Sequence, residues 1–235
     1  NAVKIGYLPE ERGLYSKEKI IDQLMYFAQL RGAERKSAKQ SAEYWLKRFE
    51  LDQYKNQKLE TLSKGNQQKV QIAQALLNDP DIYIFDEPFS GLDPINAQVL
   101  KDVISEKIAE GKLVIFSSHQ MAYVEEFCDD IAIIEQGRII CKGSLQSIKQ
   151  TMGKGKVRLN LKEHTSLQTQ QWIEKQFPQF ECEYDKASAI VDLKGTTIKH
   201  FLSLCIQQDV EVESFEPYYP TLHEIFVKKV GESHA

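Results

Sequence analysis

The chain has 235 residues, 42% of them hydrophobic, which is enough for one large globular domain or two modest ones. Its formal net charge of -4 excludes an overall basic surface of the kind that binds nucleic acid. The four cysteines are widely spaced and form no Cys-x-x-Cys pair, which argues against a zinc or redox site of that type. No uninterrupted apolar segment approaches the ~18 residues that indicate a membrane-spanning helix.

The first third of the chain predicts one short strand and then a mainly helical segment. Lys4 to Pro9 is strand-like, and Ser16 is placed to cap the helix that follows the next polar loop. Apolar residues recur at three- and four-residue spacing over residues ~16–78. Three helices are predicted there, over residues 17–30, 38–49 and 66–77.

The middle of the chain alternates between strand and helix patterns. Strands alternating with helices imply a parallel sheet that is covered on both faces. The predicted strands are 82–86, 113–117, 130–135 and 138–141, the last two joined as a hairpin through Gln136-Gly137. The predicted helices are 95–110, 120–128 and 145–152.

The last third of the chain predicts a separate small module. Gly153-Lys154-Gly155-Lys156 has the composition of a solvated linker, although its lysines could also contact phosphate. After it the predicted order is strand, helix, strand, strand, helix, strand, the split βαβ pattern of a ferredoxin-like fold. These elements are 157–161, 167–177, 181–184, 189–193, 198–206 and 210–215. A terminal helix is predicted over 221–230, with Leu222, Ile225 and Phe226 packing inward.

Two adjacent acids follow the apolar run Ile82–Phe85. In open α/β sheets ligands bind beyond the carboxyl ends of the strands, so Asp86 and Glu87 would emerge at such an edge. Consecutive side chains on a strand point to opposite faces, so one acid could hold a metal ion and the other polarise a water. The alternative is an ordinary strand followed by a polar turn.

Further polar residues surround this strand in the sequence. Ser63 and Gly65 stand at the start of a predicted helix, where a hydroxyl, free backbone N–H groups and the helix dipole suit a phosphate, or where Ser63 is only an ordinary N-cap. Asp93 could cap the helix after the acids. Strand 113–117 leads into Ser118 and His119, so the histidine would lie at the same sheet edge, where a single histidine is usually structural.

Together these features resemble the nucleotide-binding subunits of ABC transporters over residues 1 to about 150. Leu62–Gln67 is similar to the ABC signature (the signature loop), 82–88 to Walker B, 90–93 to the D-loop, and His119 to the switch histidine. The C-terminal module, with Pro220 to Phe226, is similar to that of bacterial ABC-2-type exporter ATPases of the sodium-efflux and multidrug kind. The implied fold is α/β, a partial ABC-ATPase (P-loop NTPase) core with a helical subdomain, plus a small α+β ferredoxin-like domain.

The resemblance implies a role for each matching residue. Asp86 should hold Mg²⁺, Glu87 should act as general base toward the attacking water, and His119 should contact the γ-phosphate of ATP. The signature loop should bind the ATP held by an opposite subunit, and Asp93 should reach across that dimer interface. The nucleotide-binding positions are Ser63, Lys64, Gly65, Asn66, Gln67, Asp93 and Glu10, and Glu10 is also a candidate metal ligand.

Three departures from the family pattern qualify these roles. Lys64 and Asn66 replace the commonest glycine and glutamine of the signature, and Glu10 stands where the Q-loop has glutamine, so it cannot donate an amide hydrogen bond. Gly-x-x-x-x-Gly-Lys-Ser/Thr, the Walker A phosphate cradle, does not occur. We therefore expect an N-terminally truncated chain, inactive alone, in which the strand of Asp86 is short of neighbours and unpaired edges remain that are prone to association.

The expected function is ATP hydrolysis that energises export through a membrane. The expected partners are a second nucleotide-binding subunit and transmembrane permease subunits, with no nucleic acid, at the cytoplasmic face of a bacterial membrane; Glu11, Arg12 and Tyr15 should face the permease. The alternatives are a non-transport ABC ATPase of the translation or DNA-repair type, and a regulatory or dimerisation role for the C-terminal module. The expected domains are 1–152, with a helical subdomain over about 16–78 and a Walker B to switch portion over 79–152, and 153–235.

Overall fold

The computed structural model describes residues 3–11, 13–184, 188–208 and 210–234. Arg12, expected to face the permease, lies outside these ranges. The chain forms two compact units, Asn1–Gln120 and Met121–Ala235. The boundary expected from the sequence, between residues 152 and 153, falls within the second unit, and the functional division at that point stays a prediction. No helix in the described ranges has both the length and the apolar character needed to cross a membrane.

A three-stranded parallel sheet lies in the first unit. Its strands are β1 (Ile5–Leu8), β2 (Ile82–Asp86) and β3 (Leu113–Ser117), hydrogen-bonded in the order β1-β2-β3. The register pairs Leu8 with Phe85 and Asp86 with Ser117, so β2 has a neighbour on each side. The expectation that the strand of Asp86 would be short of neighbours is therefore wrong, because β1, near the N-terminus, supplies one of the two. Among the described residues β1 and β3 are the edges of this sheet.

One face of this sheet is buried and the other is not. Gly6 permits close packing on the buried face, because a Cβ there would lie 2.3 Å from the carbonyl oxygen of Ala75 in the third helix. On the opposite face the side chains of Ile5, Tyr7 and Ile115 remain about half exposed. The sequence predicted a sheet covered on both faces, and the described residues cover only one.

Three helices of the first unit pack together, and a fourth follows β2. They are α1 (Ile20–Leu30), α2 (Arg35–Arg48), α3 (Lys64–Leu76) and α4 (Pro94–Ala109), with short 3₁₀ turns at 52–54 and 59–61. The core of the first three is built from the apolar residues predicted by their helical spacing, including Leu24, Ala42, Leu46 and Val70. The mainly helical character of residues 16–78 is confirmed.

The start of α1 differs from the prediction. Ser16 does not cap the helix, which begins at Ile20 without a side-chain cap. The N–H groups of Ile20 and Ile21 donate instead to the carbonyl oxygens of Gln57 and Lys55, at 3.0 and 2.9 Å. Backbone from a distant turn thus satisfies the first helical N–H groups, which local sequence could not indicate.

The second unit contains a hairpin with three helices around it. The hairpin strands are β4 (Asp130–Glu135) and β5 (Arg138–Ser144), and the helices are α5 (Met121–Phe127), α6 (Leu145–Met152) and the terminal α9 (Leu222–His234). Ile133, Leu145, Leu222 and Ile225 form their shared core. The terminal helix therefore docks through Leu222 and Ile225, as its apolar spacing predicted.

The rest of the second unit has the predicted ferredoxin-like order. Its elements are β6 (Lys156–Leu161), α7 (Ser166–Gln176), β7 (Glu181–Tyr184), β8 (Ala189–Asp192), α8 (Ile198–Gln207) and β9 (Val212–Pro217). The strands form an antiparallel sheet in the order β7-β8-β6-β9, with β6 and β8 at its centre. The two helices and the sheet enclose a core centred on Phe201, which is fully buried.

Residues 153–156 form a turn that leads directly into the sheet, in which Gly153 is buried and Lys154 and Gly155 are exposed. A Cβ on Gly153 would lie 2.0 Å from the carbonyl oxygen of Tyr218, so only glycine permits this close approach. The N–H of Leu193 donates to Gly155, and Lys156 already belongs to β6. The prediction of a solvated linker is wrong at Gly153, because composition does not reveal that this glycine serves close backbone packing.

Candidate functional site

Asp86 and Glu87 emerge at the carboxyl edge of the parallel sheet, as predicted. Asp86 is the last residue of β2, and its carboxylate accepts a hydrogen bond from the hydroxyl of Ser117, the last residue of β3. Glu87 takes a left-handed backbone conformation with φ of +47°, which is costly for a residue with a side chain. The backbone therefore leaves the strand geometry between the two acids, and simple alternation does not describe their directions.

The side chain of Glu87 is held by the segment that follows β3. Its Oε1 accepts hydrogen bonds from the backbone N–H and the Nδ1 of His119, both at 2.8 Å, and its Oε2 accepts from the Ser118 hydroxyl at 3.4 Å. An ionised carboxylate can only accept, so Nδ1 of the imidazole carries the proton in this arrangement. The Glu87 side chain is 15% exposed and that of His119 is 74% exposed. The structure thus joins the predicted base and the predicted switch histidine directly.

Glu10 also lies at this edge of the sheet. It follows β1 by two residues, and β1 runs parallel to β2, so both chains leave the sheet on the same side. Its side chain is exposed. Across the described ranges no hydrogen bond or ion pair joins Glu10 to Asp86, Glu87 or His119, so its metal role stays a prediction.

The signature loop leads into α3, as predicted. Ser63 is the N-cap of this helix, and its Oγ accepts a hydrogen bond from the N–H of Asn66 at 3.3 Å. The hydroxyl hydrogen of Ser63 can still donate to another group. Ser63 and Lys64 are exposed, and Gly65 and Asn66 are partly exposed. The loop therefore presents a hydroxyl, an ammonium group and the positive end of a helix to the surface.

Gln67 is oriented differently from the rest of the loop. Its side chain is buried, and its amide donates to the carbonyl oxygen of Leu62 at 2.9 Å. This hydrogen bond stabilises the turn that exposes Ser63 and Lys64. A direct contact between Gln67 and nucleotide stays a prediction.

Asp93 caps α4, as the sequence indicated. Its carboxylate accepts from the backbone N–H of Asn96 at 2.9 Å and from the side-chain amide of Asn96 at 2.6 Å. The hydrogen bond from the backbone N–H is the main cause that lowers the pKa of Asp93 below its ordinary value. The side chain is exposed, and it is ionised at neutral pH.

The predicted residues form two groups. The Ser117 hydroxyl donates to Asp86 and accepts from the backbone N–H of Glu87, and the side chain of Glu87 accepts from His119, so hydrogen bonds join all three at the sheet edge. The signature loop lies beside the D-loop, since a Cβ on Gly65 would be 3.6 Å from the carbonyl oxygen of Gly91. The loop between Glu87 and the D-loop is compact, with the N–H of residue 90 donating to the carbonyl oxygen of Glu87 at 3.0 Å.

Sequence reasoning assigned no role to four residues that these groups use. Ser117 and Ser118 contact the two acids, and their only signal was two hydroxyls at the end of a strand directly before His119. Lys69 and Asn96 connect α3 with α4, the helix that follows the D-loop, through a hydrogen bond of 3.1 Å. The signal for Lys69 is a lysine among the apolar positions of α3, one turn after Gly65.

The oxygen donors at the sheet edge suit a hard cation. Asp86 offers a carboxylate beside the Ser117 hydroxyl, and Mg²⁺ is usually bound by one or two carboxylates with waters and substrate phosphates completing its shell. No group of three or more His, Cys, Asp or Glu side chains arranged for a metal ion occurs within the described ranges. The donor set therefore fits a Mg²⁺ that arrives with a nucleotide and does not fit a site made by the protein alone.

Comparison with known protein families agrees with both parts of the chain. A family model described as ABC transporter matches residues 2–90. A second model, described as the C-terminal domain of DrrA1-3-like ATP-binding proteins, matches residues 143–230. The two matches fall on the portion with the acidic strand and on the portion with the ferredoxin-like module.

Similar proteins cover nearly the whole chain. The uncharacterized ABC transporter ATP-binding protein YhaQ of Bacillus subtilis is 39% identical over 97% of this chain and 75% of its own length. An uncharacterized ABC transporter ATP-binding protein of Alkalihalophilus pseudofirmus is 36% identical over 98% of this chain and 85% of its own length.

Solved structures share the fold of the core. The ATP-binding subunit of an ABC transporter superposes with a TM-score of 0.60 at 33% identity, over 64% of this chain and 62% of that chain. An ATP-binding cassette solved as a post-hydrolysis dimer with ADP and Pi superposes with a TM-score of 0.54 at 24% identity, over 60% of this chain and 63% of that one, which supports the fold alone. The α/β fold with a helical subdomain is thereby confirmed.

Proposed function

This chain belongs to the ABC transporter ATP-binding protein family, and from that premise we propose that it takes part in ATP hydrolysis that energises export across a bacterial membrane. ABC ATP-binding proteins are in general ATPases. The direction of transport rests on the C-terminal module, which matches the DrrA1-3-like model. The relatives described above are transporter proteins, which does not favour the translation or DNA-repair alternative.

The observation that carries the proposal is the pair of hydrogen bonds from His119 to Glu87 beside Asp86. A general base must be ionised and held at a fixed position near the proton it accepts. Two donors of one residue fix Oε1 of Glu87, and within the described ranges Oε2 accepts one longer hydrogen bond, from Ser118. Glu87 can therefore orient a water through Oε2 and accept its proton there.

His119 has two roles in this proposal: it positions Glu87 and it can contact a phosphate. Its backbone N–H and Nδ1 position Glu87, and its exposed imidazole leaves Nε2 available for a second contact. Because Nδ1 already carries a proton, Nε2 can donate to a phosphate oxygen only when the imidazole is doubly protonated. Rotation of the ring away from Glu87 is the other way for His119 to reach the γ-phosphate.

Asp86, with Glu10 as a second candidate, would hold Mg²⁺. When bound, the ion would neutralise charge on the phosphates of ATP. The Ser117 hydroxyl donates to Asp86 and thereby limits rotation of its carboxylate. Asp86 therefore binds and orients, whereas the proton transfer belongs to Glu87.

The signature loop and the D-loop would serve the ATP of a second subunit. Ser63, Lys64, Gly65 and Asn66 present donors at the surface, as a site for phosphate requires, and Gln67 supports the turn from inside. Asp93 would reach across the dimer interface. The second subunit is either an identical chain or a related one.

Permease subunits are the further partners proposed, with the complex at the cytoplasmic face of the membrane. Glu11 and Tyr15, both exposed, follow β1 and precede α1, and the permease would dock there. The C-terminal module, residues 153–235, is proposed to regulate or to dimerise, by analogy with other ferredoxin-like modules.

The test is ATP turnover by the transporter complex that contains this chain, with Glu87→Gln as the variant. Glutamine keeps the size of the side chain but cannot accept the proton from water, so we expect kcat to fall at least about a hundredfold, the usual contribution of a general base. Glu181→Gln is a matched control, because Glu181 is an exposed residue of β7.

Unchanged turnover with Glu87→Gln refutes the proposed base. For the 235 residues by themselves we expect no ATP hydrolysis, since they contain no Gly-x-x-x-x-Gly-Lys-Ser/Thr cradle. Steady-state release of phosphate by this chain alone, removed by Glu87→Gln, contradicts that expectation and at the same time supports the role of Glu87.

A further inference from the structure

Lys69 is a buried lysine close to the signature loop. It lies in α3, one turn after Gly65, and only 5% of its surface is exposed. Its ammonium group donates to Oδ1 of Asn96 in the first turn of α4, at 3.1 Å. Lysine is almost never fully buried unless it is paired, so the burial of Lys69 between two helices needs an explanation.

Asn96 also bonds to Asp93 and so links Lys69 to that residue. Its backbone N–H and its side-chain amide N–H both donate to the Asp93 carboxylate, at 2.9 and 2.6 Å. The amide must turn its nitrogen toward the carboxylate and its oxygen toward the ammonium group, so the two neighbours fix its orientation. Lys69, Asn96 and Asp93 thus form one chain of hydrogen bonds, which we call the Lys69 network.

Stability does not account for a lysine at this position. Desolvation lowers the pKa of Lys69, and the negative charges of Glu50 and Asp93 act in the opposite direction. The direct partner of the ammonium group is a neutral amide, which compensates a buried charge less well than a carboxylate does. An apolar side chain of the same length would fill this space without the cost of burying a charge.

Geometry offers a better reason. Gly65 of the signature loop lies beside Gly91 of the D-loop. One helical turn further along α3, Lys69 bonds to Asn96 of α4, which in turn bonds to Asp93 of the D-loop. Two points of contact, and not one, fix the rotation of the D-loop relative to α3. The signature loop and Asp93 are then held as one rigid element.

We propose that Lys69, acting through Asn96, is a positioning residue that sets the place of Asp93 relative to the signature loop. The inference rests on the proposed function, in which both segments meet the ATP of a second subunit. Lys69 touches neither ATP nor the reacting atoms in this account. Its effect is to make the signature loop and Asp93 approach the second subunit together.

The first test uses the chain itself and needs no nucleotide. Lys69→Met keeps the length of the side chain and removes its charge, and Lys69→Arg keeps the charge and the donors. We expect Lys69→Met to speed hydrogen exchange of the Asn96 backbone N–H about tenfold, as expected for the loss of one hydrogen bond, and to raise the pKa of Asp93 in NMR titration. Lys69→Arg should restore most of both values, and the melting temperature of Lys69→Met should not fall.

Lys107→Met is the matched control for removing a buried ammonium group. The Lys107 side chain is 12% exposed and pairs with Asp79 and Glu110, away from the D-loop. We expect this variant to leave both the exchange rate of Asn96 and the pKa of Asp93 unchanged. Equal changes with Lys69→Met and Lys107→Met, or no change with Lys69→Met, overturn the proposal.

The second test measures turnover in the transporter complex. Lys69→Met should lower kcat about tenfold with KM for ATP nearly unchanged, because ground-state binding is not altered, and Lys69→Arg should recover most of the rate. If Glu87→Gln abolishes turnover while Lys69→Met leaves kcat unchanged, the positioning role is refuted and the proposed function stands. If Glu87→Gln is fully active, the proposed function fails, and hydrogen exchange alone decides the Lys69 network.

Discussion

Replacing Phe201 with alanine removes the centre of the ferredoxin-like core. The Phe201 side chain lies on α8 and is fully buried. Its ring centroid is 5.2 Å from that of Phe180, 6.2 Å from that of Phe177 and 6.1 Å from that of Phe215. The substitution therefore leaves a cavity that three other rings line.

The expected loss of unfolding free energy follows from this burial. A buried phenylalanine loses about 150 Å² of surface, which at about 25 cal/mol per Å² is about 4 kcal/mol. Substitutions of buried phenylalanine by alanine typically cost about 3–5 kcal/mol, in the same range. Because a domain of this size has only about 5–15 kcal/mol of stability, the melting temperature should fall by roughly 10–20 °C.

The two tryptophans make the assay selective. Trp45 lies in the first unit, and Trp172 lies on α7 with its ring centroid 5.4 Å from that of Phe177. In a Trp45→Phe background the emission of Trp172 reports on the second unit during urea unfolding. Ile206→Ala on the same helix is the control, since Ile206 is 71% exposed and should change the unfolding free energy by about 0.5 kcal/mol or less.

A loss below about 1 kcal/mol with Phe201→Ala, or an equal loss with Ile206→Ala, refutes this description of the core.

Two further predictions concern titratable groups. Burial alone raises the pKa of Asp79, but hydrogen bonds and charges from Lys112 and Lys107 outweigh it and lower the pKa. Ionised Asp79 therefore stabilises the fold at pH values above its ordinary pKa, and this contribution is lost as pH falls through the lowered pKa. In urea titrations Asp79→Asn should reduce the unfolding free energy by about 0.5–1 kcal/mol at pH 7 and should not change it near pH 2. An equal reduction at both pH values contradicts this. Burial raises the pKa of the Cys205 thiol to about 11. Iodoacetamide at pH 8 should therefore label Cys205 roughly a hundredfold more slowly than a free thiol, as measured by peptide mass spectrometry. Rapid labelling of Cys205 in the native chain contradicts this prediction.

Much of the secondary structure followed from local patterns. The bounds of β2, β3, β4, α6 and β7 agree residue for residue with the segments predicted from periodicity. The ferredoxin-like order was equally predictable, because each of its strands and helices has its own apolar period. The same holds for Asp93, whose capping role depends only on the residues that follow it.

Features that depend on distant residues were not predictable in this way. Ser16 looked like a cap, but carbonyl groups of residues 55 and 57 accept from the first N–H groups of α1. Gly153 looked like part of a linker, but its missing side chain lets the backbone of Tyr218 approach. In both cases the deciding partner lies many residues away, so no local window contains the information.

For the candidate site, the order of residues along the chain determined which chemistry is present: two acids after a buried strand, a histidine after the next strand, and a serine and glycine before a helix. Only the tertiary structure decided how they are connected. It joined His119 to Glu87, turned Gln67 inward and linked Lys69 to Asp93 through Asn96. The physical reason is that residue type and spacing set local backbone preference, whereas hydrogen-bond partners depend on which elements the packing of the core brings together.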